Sequence, residues 1–503
     1  MVFLLQRMMC LKCGHMTESP CWKSTSPMEV RDHTVYDEVG SASKHSISLV
    51  KGSQTMKKKY RAIILPVLLG SLLTACSSGN GGGGGQAGPA EDGKTPAAKT
   101  GPSEPVELIF YSTSGEAEES FNSKFGDVIR AKFPDYKISY LRQEPGSLIP
   151  EVIMTGRRVD IIYNVFDYVI DPLLNSGIGY DMTDLAKKHG VDLAQFEPSV
   201  IDGIRRAGDG KLYMLPTSLQ VPMVFYNKNL FNKFGVPFPK DGMSWDEMKA
   251  TSQKLTRKDG NVQYLGFIGS QQYSLKMTPF SDPYLDEKTG KSTFERETWK
   301  KLIETIFIDT DANNGMKNYV IEKKGLPTRL NFTNSQDVAM LHFHSEFPAA
   351  VPKDLEKIDW DMVALPTFPE LKGVGGQATA VAMSITSMAK NKDAAMEVIK
   401  FLTSKESQTA NSKKGMMTVL KDKTIEGVFG SESQFKDKNW KGAYFNKLAP
   451  ISYKSTYELQ VEKVYTAAVL DAIRGEKDLN TVLRETAEKA DKTVADLKAA
   501  SKK

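Results

Sequence analysis

His342, His344 and Glu346 stand at alternate positions in the string AMLHFHSEF, residues 339–347. Alternate residues of a strand share one face, so two imidazoles and a carboxylate would converge there. Such a set can bind a divalent metal. No fourth ligand is identifiable, and the plainer reading is a buried, hydrogen-bonded histidine pair. A second group, Cys10-x-x-Cys13-Gly14-His15 with Cys21 nearby, resembles a small zinc site. Its spacing completes no structural ligand set, and no periodic apolar pattern surrounds it. A third, Gly88-Pro89-Ala90-Glu91-Asp92-Gly93-Lys94-Thr95, matches the P-loop pattern. A P-loop needs a strand before it and a helix after it, so that backbone amides converge on phosphate. Here a glycine run precedes and Pro96 follows. Neither a cofactor nor a resident metal is expected.

The elements around these groups divide the 503 residues into a leader, a tether and a globular body. Residues 56–76 read MKKKYRAIILPVLLGSLLTAC. A cationic start precedes an apolar run from Ala62 to about Ala75, too short to span a bilayer comfortably but right for a signal-peptide core. Leu73-Thr74-Ala75-Cys76 looks like a bacterial lipobox, in which the cysteine is lipidated and becomes the new N-terminus. Cys76 is the only cysteine beyond the leader, so no disulfide framework is expected. Residues 1–55 read as an extension from a start codon placed too early, with translation beginning at Met56. The net charge is +5, and residues 1–75 account for all of it with ten Lys/Arg and five Asp/Glu. A neutral mature chain has no electrostatic footprint for nucleic acid. Residues 77–104 are rich in Gly, Pro, Ser and Ala with no large apolar residue, a flexible tether of about 30 Å mean span.

From residue 105 the periodicity alternates. Strands are expected at 106–111, 137–141, 160–163 and 265–268. Helices are expected at 116–133, 244–255 (opened by the Ser244/Glu247 capping box), 392–404 and from 479 on. Alternation of this kind predicts an α/β sheet covered by helices. About 18 consecutive apolar residues would be needed for a membrane span, and none occur.

Four strings in order resemble the family 1 extracellular solute-binding proteins, the maltose-binding-protein-like receptors of ABC importers. They are Asp209–Leu230 (DGKLYMLPTSLQVPMVFYNKNL), Phe231–Pro237 with Trp245 beyond it, Ala364–Pro369 with Gly373–Gln377, and Ser387–Ser404. The resemblance covers nearly all of 105–503. It implies a type II periplasmic-binding-protein-like fold: two α/β lobes of discontinuous chain, joined by hinge crossovers, with ligand in the cleft. Lobe 1 is expected to hold 105–217 and 348–400, and lobe 2 to hold 218–347 and 401–503.

Carried over position by position, the resemblance places Ser112, Thr113 and Ser114 in the loop after the first strand. Asn164, Asp167 and Tyr168 fall after the third strand, Gln220 at the first crossover, and Gln271, Gln272 and Tyr273 after the strand at 265–268. The family usually has a stacking tryptophan where Glu346 stands. Trp440 with Tyr444, and Tyr457 or Tyr453, are the alternative aromatic contacts from lobe 2, whereas Trp245 and Trp360 are expected in the core. Amides and carboxylates suit sugar hydroxyls because each directs two hydrogen bonds.

The implied function is a monomeric, lipid-anchored receptor on the outer face of a Gram-positive-type cell membrane. It would capture a small solute, a carbohydrate in chemistry, and hand it to ABC permease subunits without catalysis. Two alternatives stand beside it. One is a secreted glycan-acting enzyme using Asp167 and Glu346 as paired carboxylates. The other is a metal or polyamine receptor on the same fold.

Overall fold

The computed structural model describes residues 105–500. The leader, Cys76, the tether, the Cys10/Cys13/Cys21 group and the P-loop match lie outside the described residues. Within them, two separate sheets form. The first has five strands in the order Lys137–Arg142, Glu107–Ser112, Ile161–Val165, Thr379–Ile385 and Leu215–Gln220. Its first three strands are parallel, linked through helices. Thr379–Ile385 then runs antiparallel to both neighbours. The second sheet orders Trp360–Ala364, Pro222–Asn227, Met340–His344 and Ile268–Gly269.

Strand runs such as Ile161–Val165 and Pro222–Asn227 are buried on both faces, which requires helices on either side. Helix Lys392–Leu402 covers the first sheet with Ala395, Val398, Ile399 and Leu402, the residues of its 3.6-period stripe. The expected helix at 116–133 forms over Glu118–Lys132, widened to π geometry at Asn122–Gly126. Phe121, Phe125 and Ile129 are its buried face. Ser244 and Glu247 cap the helix Trp245–Leu255 reciprocally, as their spacing predicts.

The chain passes from the first sheet to the second at Gln220-Val221-Pro222 and returns between Ala364 and Thr379. In that return segment Val374–Gln377 pairs with Lys447–Ala449. Gly376 has no room for a side chain there: a Cβ would drive into the Met277 carbonyl and the Pro222 ring. Two expectations about lobe membership change. Trp360–Ala364, expected in lobe 1, pairs with Pro222–Asn227 in the second sheet. Helix Lys405–Lys413, expected in lobe 2, stays on the first, where Gln408 Nε2 donates to the Thr217 carbonyl at 2.8 Å. Periodicity marks an element but not its partner, and WDMVA fits either sheet. The expected strand at 265–268 shortens to Ile268–Gly269, with Leu265 forming a lone bridge to Val338.

The last two helices, Glu458–Arg474 and Leu479–Ala500, pack against each other. The first of them also lies on helices Gln271–Lys276 and Gly315–Lys323 of the second lobe, and touches helix Phe166–Asn175 of the first.

Candidate functional site

The ends of the first-sheet strands and the crossover carry a set of polar residues that apolar packing does not explain. Ser112 ends its strand, and its Oγ lies 2.9 Å from Ser114 Oγ. Asn164 Nδ2 donates to Thr113 Oγ1 at 2.9 Å, and Thr113 Oγ1 donates to the Tyr168 carbonyl at 3.3 Å. These contacts brace the loop after the first strand against the third. Glu116, which sequence reasoning passed over, closes the same loop. It accepts from Tyr163 OH, from Ser120 Oγ at 2.7 Å and from Lys124 Nζ at 2.7 Å. Burial alone would raise its pKa, but Lys124 and these donors outweigh it and hold the carboxyl below its usual range.

At the crossover, Gln220 Nε2 donates to Glu346 Oε2 at 2.8 Å. The opposite atoms, Gln220 Oε1 and Glu346 Oε1, are buried without a hydrogen-bond partner. Burial pushes the Glu346 carboxyl above its ordinary value, against the hydrogen bonds from Ser218 and Gln220. The strand stops at His344, so Glu346 does not extend the histidine face as alternation predicts; it sits at the start of helix Phe347–Ala350. His342 Nδ1 lies 2.7 Å from Ser274 Oγ. Burial pushes both histidines down to about 3, which keeps their imidazoles neutral near pH 7. Among the described residues no three His, Cys, Asp or Glu side chains are placed to hold a metal ion.

A second cluster joins the two lobes. Lys276 Nζ lies 3.3 Å from Asp167 Oδ2 and 3.3 Å from Glu462 Oε2, with all three side chains at most 3% exposed. Asp167 Oδ1 also accepts from Thr379 Oγ1 at 3.2 Å. Glu462 Oε1 accepts from Tyr168 OH at 2.6 Å and Gln272 Nε2 at 2.8 Å. Gln272 Nε2 also donates to Tyr168 OH, and Gln272 Oε1 is buried without a partner. Burial would raise the Asp167 pKa, but Lys276 and Lys454 outweigh it and hold it low. Asp167 is thus held by Lys276 and Thr379, and Glu346 by Gln220.

The remaining candidates scatter. Gln271 is half-buried on the same helix as Gln272. Tyr273 turns inward, its ring 4.7 Å from those of Phe343 and His344. Trp440 is not a cleft residue. It is 4% exposed, lies edge-on to Phe429, and donates from Nε1 to the Phe435 carbonyl. Gly430, at φ 74°, leaves the space that its indole fills. A tryptophan in a polar string found an apolar bed supplied by residues far from its own turn. With Tyr444 it lines a separate surface cavity of about 510 Å³. Tyr457 lies beneath the last helix, with Lys498 Nζ 5.6 Å from its ring centre. Tyr453 is half-buried beside Arg206. Lys276 and Glu462 were missed as well. Their one sequence signal is spacing: Gln272/Lys276 and Glu458/Glu462 are i,i+4 pairs, each sharing a helix face.

Two sheets joined by crossovers, with polar strand ends converging where they meet, define a two-lobed binding protein. Residues 114–409 match the bacterial extracellular solute-binding protein family, and the chain belongs to it. This is a family of binding proteins, not enzymes. Its fold is similar to that of a sugar transporter from Rhizobium etli in an open conformation (19% identity, TM-score 0.59, covering 76% of this chain and 99% of that one). It is also similar to an ABC substrate-binding protein from Listeria monocytogenes in complex with cycloalternan (16%, TM-score 0.61, 78% and 100%). A third is the sugar-binding protein MalE from Xanthomonas citri (14%, TM-score 0.59, 79% and 100%). Among curated proteins, a binding protein of Brucella abortus is 27% identical over 206 residues, 39% of this chain. The chain spans about half the length, 48%, of the curated relatives it matches. Among the described residues no helix is long and apolar enough to cross a membrane.

Proposed function

We propose that this protein is the substrate-binding receptor of an ABC importer and that its solute is a carbohydrate, most simply an oligosaccharide. The observation that carries this reading is the set of buried acceptors left without donors: Gln220 Oε1 and Glu346 Oε1 at the crossover, and Gln272 Oε1 on the second lobe. A buried, unpaired polar atom costs roughly 1–3 kcal/mol, so the site favours a ligand that brings O–H donors. A polyol brings several in a small volume. The three structural relatives named above are described as sugar-handling or cycloalternan-bound proteins, which supports the same class. Lobe 1 contributes Ser112, Ser114, Glu116, Asn164 and Gln220. Lobe 2 contributes Glu346 and Gln272. Closure about the crossovers buries the solute from both sides and gives a permease a shape to read.

The anchor belongs to this proposal. Residues 56–75 are the lipoprotein signal and Cys76 is the acylated N-terminus. Residues 77–104 let the lobes stand off the outer face of the membrane, and the receptor works as a monomer. Two lipid chains suffice for stable anchoring where one does not.

Thermal unfolding against a panel of gluco- and manno-oligosaccharides, with spermidine and Zn²⁺ as counter-probes, tests the solute class. A true ligand at a hundred times its Kd adds about 2.7 kcal/mol of stability. The expected result is a raised Tm with at least one glycan and with neither counter-probe. A shift with spermidine or Zn²⁺ alone, or turnover of a glycan, overturns the reading. Mass spectrometry of the membrane fraction tests Cys76: an unmodified or absent N-terminal cysteine overturns the anchor.

A further inference from the structure

The segment 421–446 encloses a cavity that the solute site does not use, and its backbone is tied on two sides. On one side Gly430 N donates to the Ser412 carbonyl at 2.9 Å, Ser412 Oγ donates to the Ile425 carbonyl at 2.9 Å, and Lys413 pairs with Glu432 at 2.7 Å. Ser412 and Lys413 end helix Lys405–Lys413, which rests on the first sheet. On the other side Asn439 N donates to Asp361 Oδ1 at 2.8 Å and Asn439 Nδ2 to Asp241 Oδ2 at 2.9 Å. Asp361 belongs to Trp360–Ala364, the edge strand of the second sheet. Between these ties Trp440 and Tyr444 each meet Phe429 edge to face, and the three rings floor the cavity of about 510 Å³. The ties fix its walls in place, and its volume falls within the roughly 300–1,000 Å³ of small-ligand sites.

The rim of this cavity is cationic. Lys423, Lys436, Lys438 and Lys441 line it against one carboxylate, Glu426. Lys423 pairs with Glu426 at 2.7 Å, and Lys438 with Asp437 at 2.9 Å. Lys436 and Lys441 are exposed and make no ion pair among the described residues. Two ammonium groups are therefore left uncompensated beside an apolar floor. An ammonium recognises carboxylate or phosphate as a point charge. Low-dielectric walls focus its field into the space they enclose, which raises the local concentration of anions. The aromatic floor suits the apolar face of a ring. We propose that the cavity over Trp440 is a second, anion-selective binding site, built for a small ring compound that carries a carboxylate or a phosphate. Lys436 and Lys441 hold its charge, and Trp440 and Tyr444 hold its body. The site lies apart from Gln220, Glu346 and Gln272, and it goes beyond the solute reading without depending on it.

The test titrates glucuronate, glucose 6-phosphate and glucose separately into the protein, followed by heat and by tryptophan fluorescence. The three share a ring and differ in charge. At least one of the two anions is expected to bind tenfold or more tightly than glucose, and to weaken as ionic strength rises. Which anion binds tells carboxylate from phosphate. The double variant Lys436→Met/Lys441→Met is expected to lose at least tenfold in that affinity. Its Tm should stay within a few degrees, because neither lysine leaves a partner behind. Glu346→Gln is expected to leave the anion affinity unchanged. Failure of both anions to bind, glucose binding as tightly as either, or a double variant that binds like wild type overturns the proposal. So does an anion affinity that Glu346→Gln abolishes, since the ligand would then occupy the solute site. The solute reading is judged by other ligands and other residues, so either can fail alone.

Discussion

Tyr168 and Glu462 are 294 positions apart in the chain, and their side chains meet at 2.6 Å. The hydroxyl belongs to a helix of the first lobe and the carboxylate to one packed on the second. Its removal is a clean perturbation, because Glu462 keeps Gln272 and Tyr284 as donors. Tyr168→Phe is expected to cost about 1.5–3 kcal/mol in urea unfolding, the range for a hydrogen bond to a charged group. A loss below the error of the measurement would mean that the bond is not formed in solution.

Glu346 gives the sharpest solute prediction. Glu346→Gln preserves shape and the crossover contact while changing what the buried oxygen can accept. Solute affinity should fall roughly ten- to a hundredfold, from the loss of one charge-assisted hydrogen bond. The solute-free Tm should stay within a few degrees. Calorimetric titration with the glycan that raises Tm reads the first, and an unchanged Kd would remove Glu346 from the site.

Glu458 predicts a pH dependence. Burial pushes its carboxyl up to about 7 from an ordinary 4.5, opposed by Lys454 and reinforced by Asp167. The folded chain therefore holds a proton that the unfolded chain has lost. The stability this contributes is fully present below about pH 4.5 and disappears as pH rises through 7. Glu458→Gln should flatten that slope relative to wild type, by up to about 3 kcal/mol across the window. Parallel stability curves for the two proteins would contradict it.

Trp440 separates packing from recognition. Trp440→Phe keeps an apolar ring against Phe429 but loses the hydrogen bond to the Phe435 carbonyl and part of the bed at Gly430. Stability should drop by about 1–3 kcal/mol, with the solute Kd unchanged within twofold. A large loss of affinity at unchanged stability would return Trp440 to the cleft.

Much of the architecture was legible because it is written locally. The period-2 run near 107 and the stripe of Ala395, Val398, Ile399 and Leu402 each need only neighbouring residues to declare themselves, as does the Ser244/Glu247 box. What escaped was non-local. Nothing in WDMVA says which sheet takes residues 360–364, since both offer an apolar edge. Glu346 was assigned to a strand face because alternation cannot announce that the strand stops at His344. The loop residues Ser112 to Ser114 and the crossover residue Gln220 fall at strand ends, where the family resemblance placed them. Lys276 was invisible for the opposite reason. A lysine ending a short helix looks solvated until Asp167, more than a hundred residues away, is brought against it.

The antiparallel strand Thr379–Ile385 lies between Ile161–Val165 and Leu215–Gln220, both of which leave the ribosome long before it. Any nascent fragment ending short of residue 379 therefore lacks the fourth strand of its first sheet, and Leu215–Gln220 has no strand of that sheet to pair with. Contacts of such separation form late and slowly. The same wedge that completes the lobe thus delays its assembly until most of the polypeptide has been made.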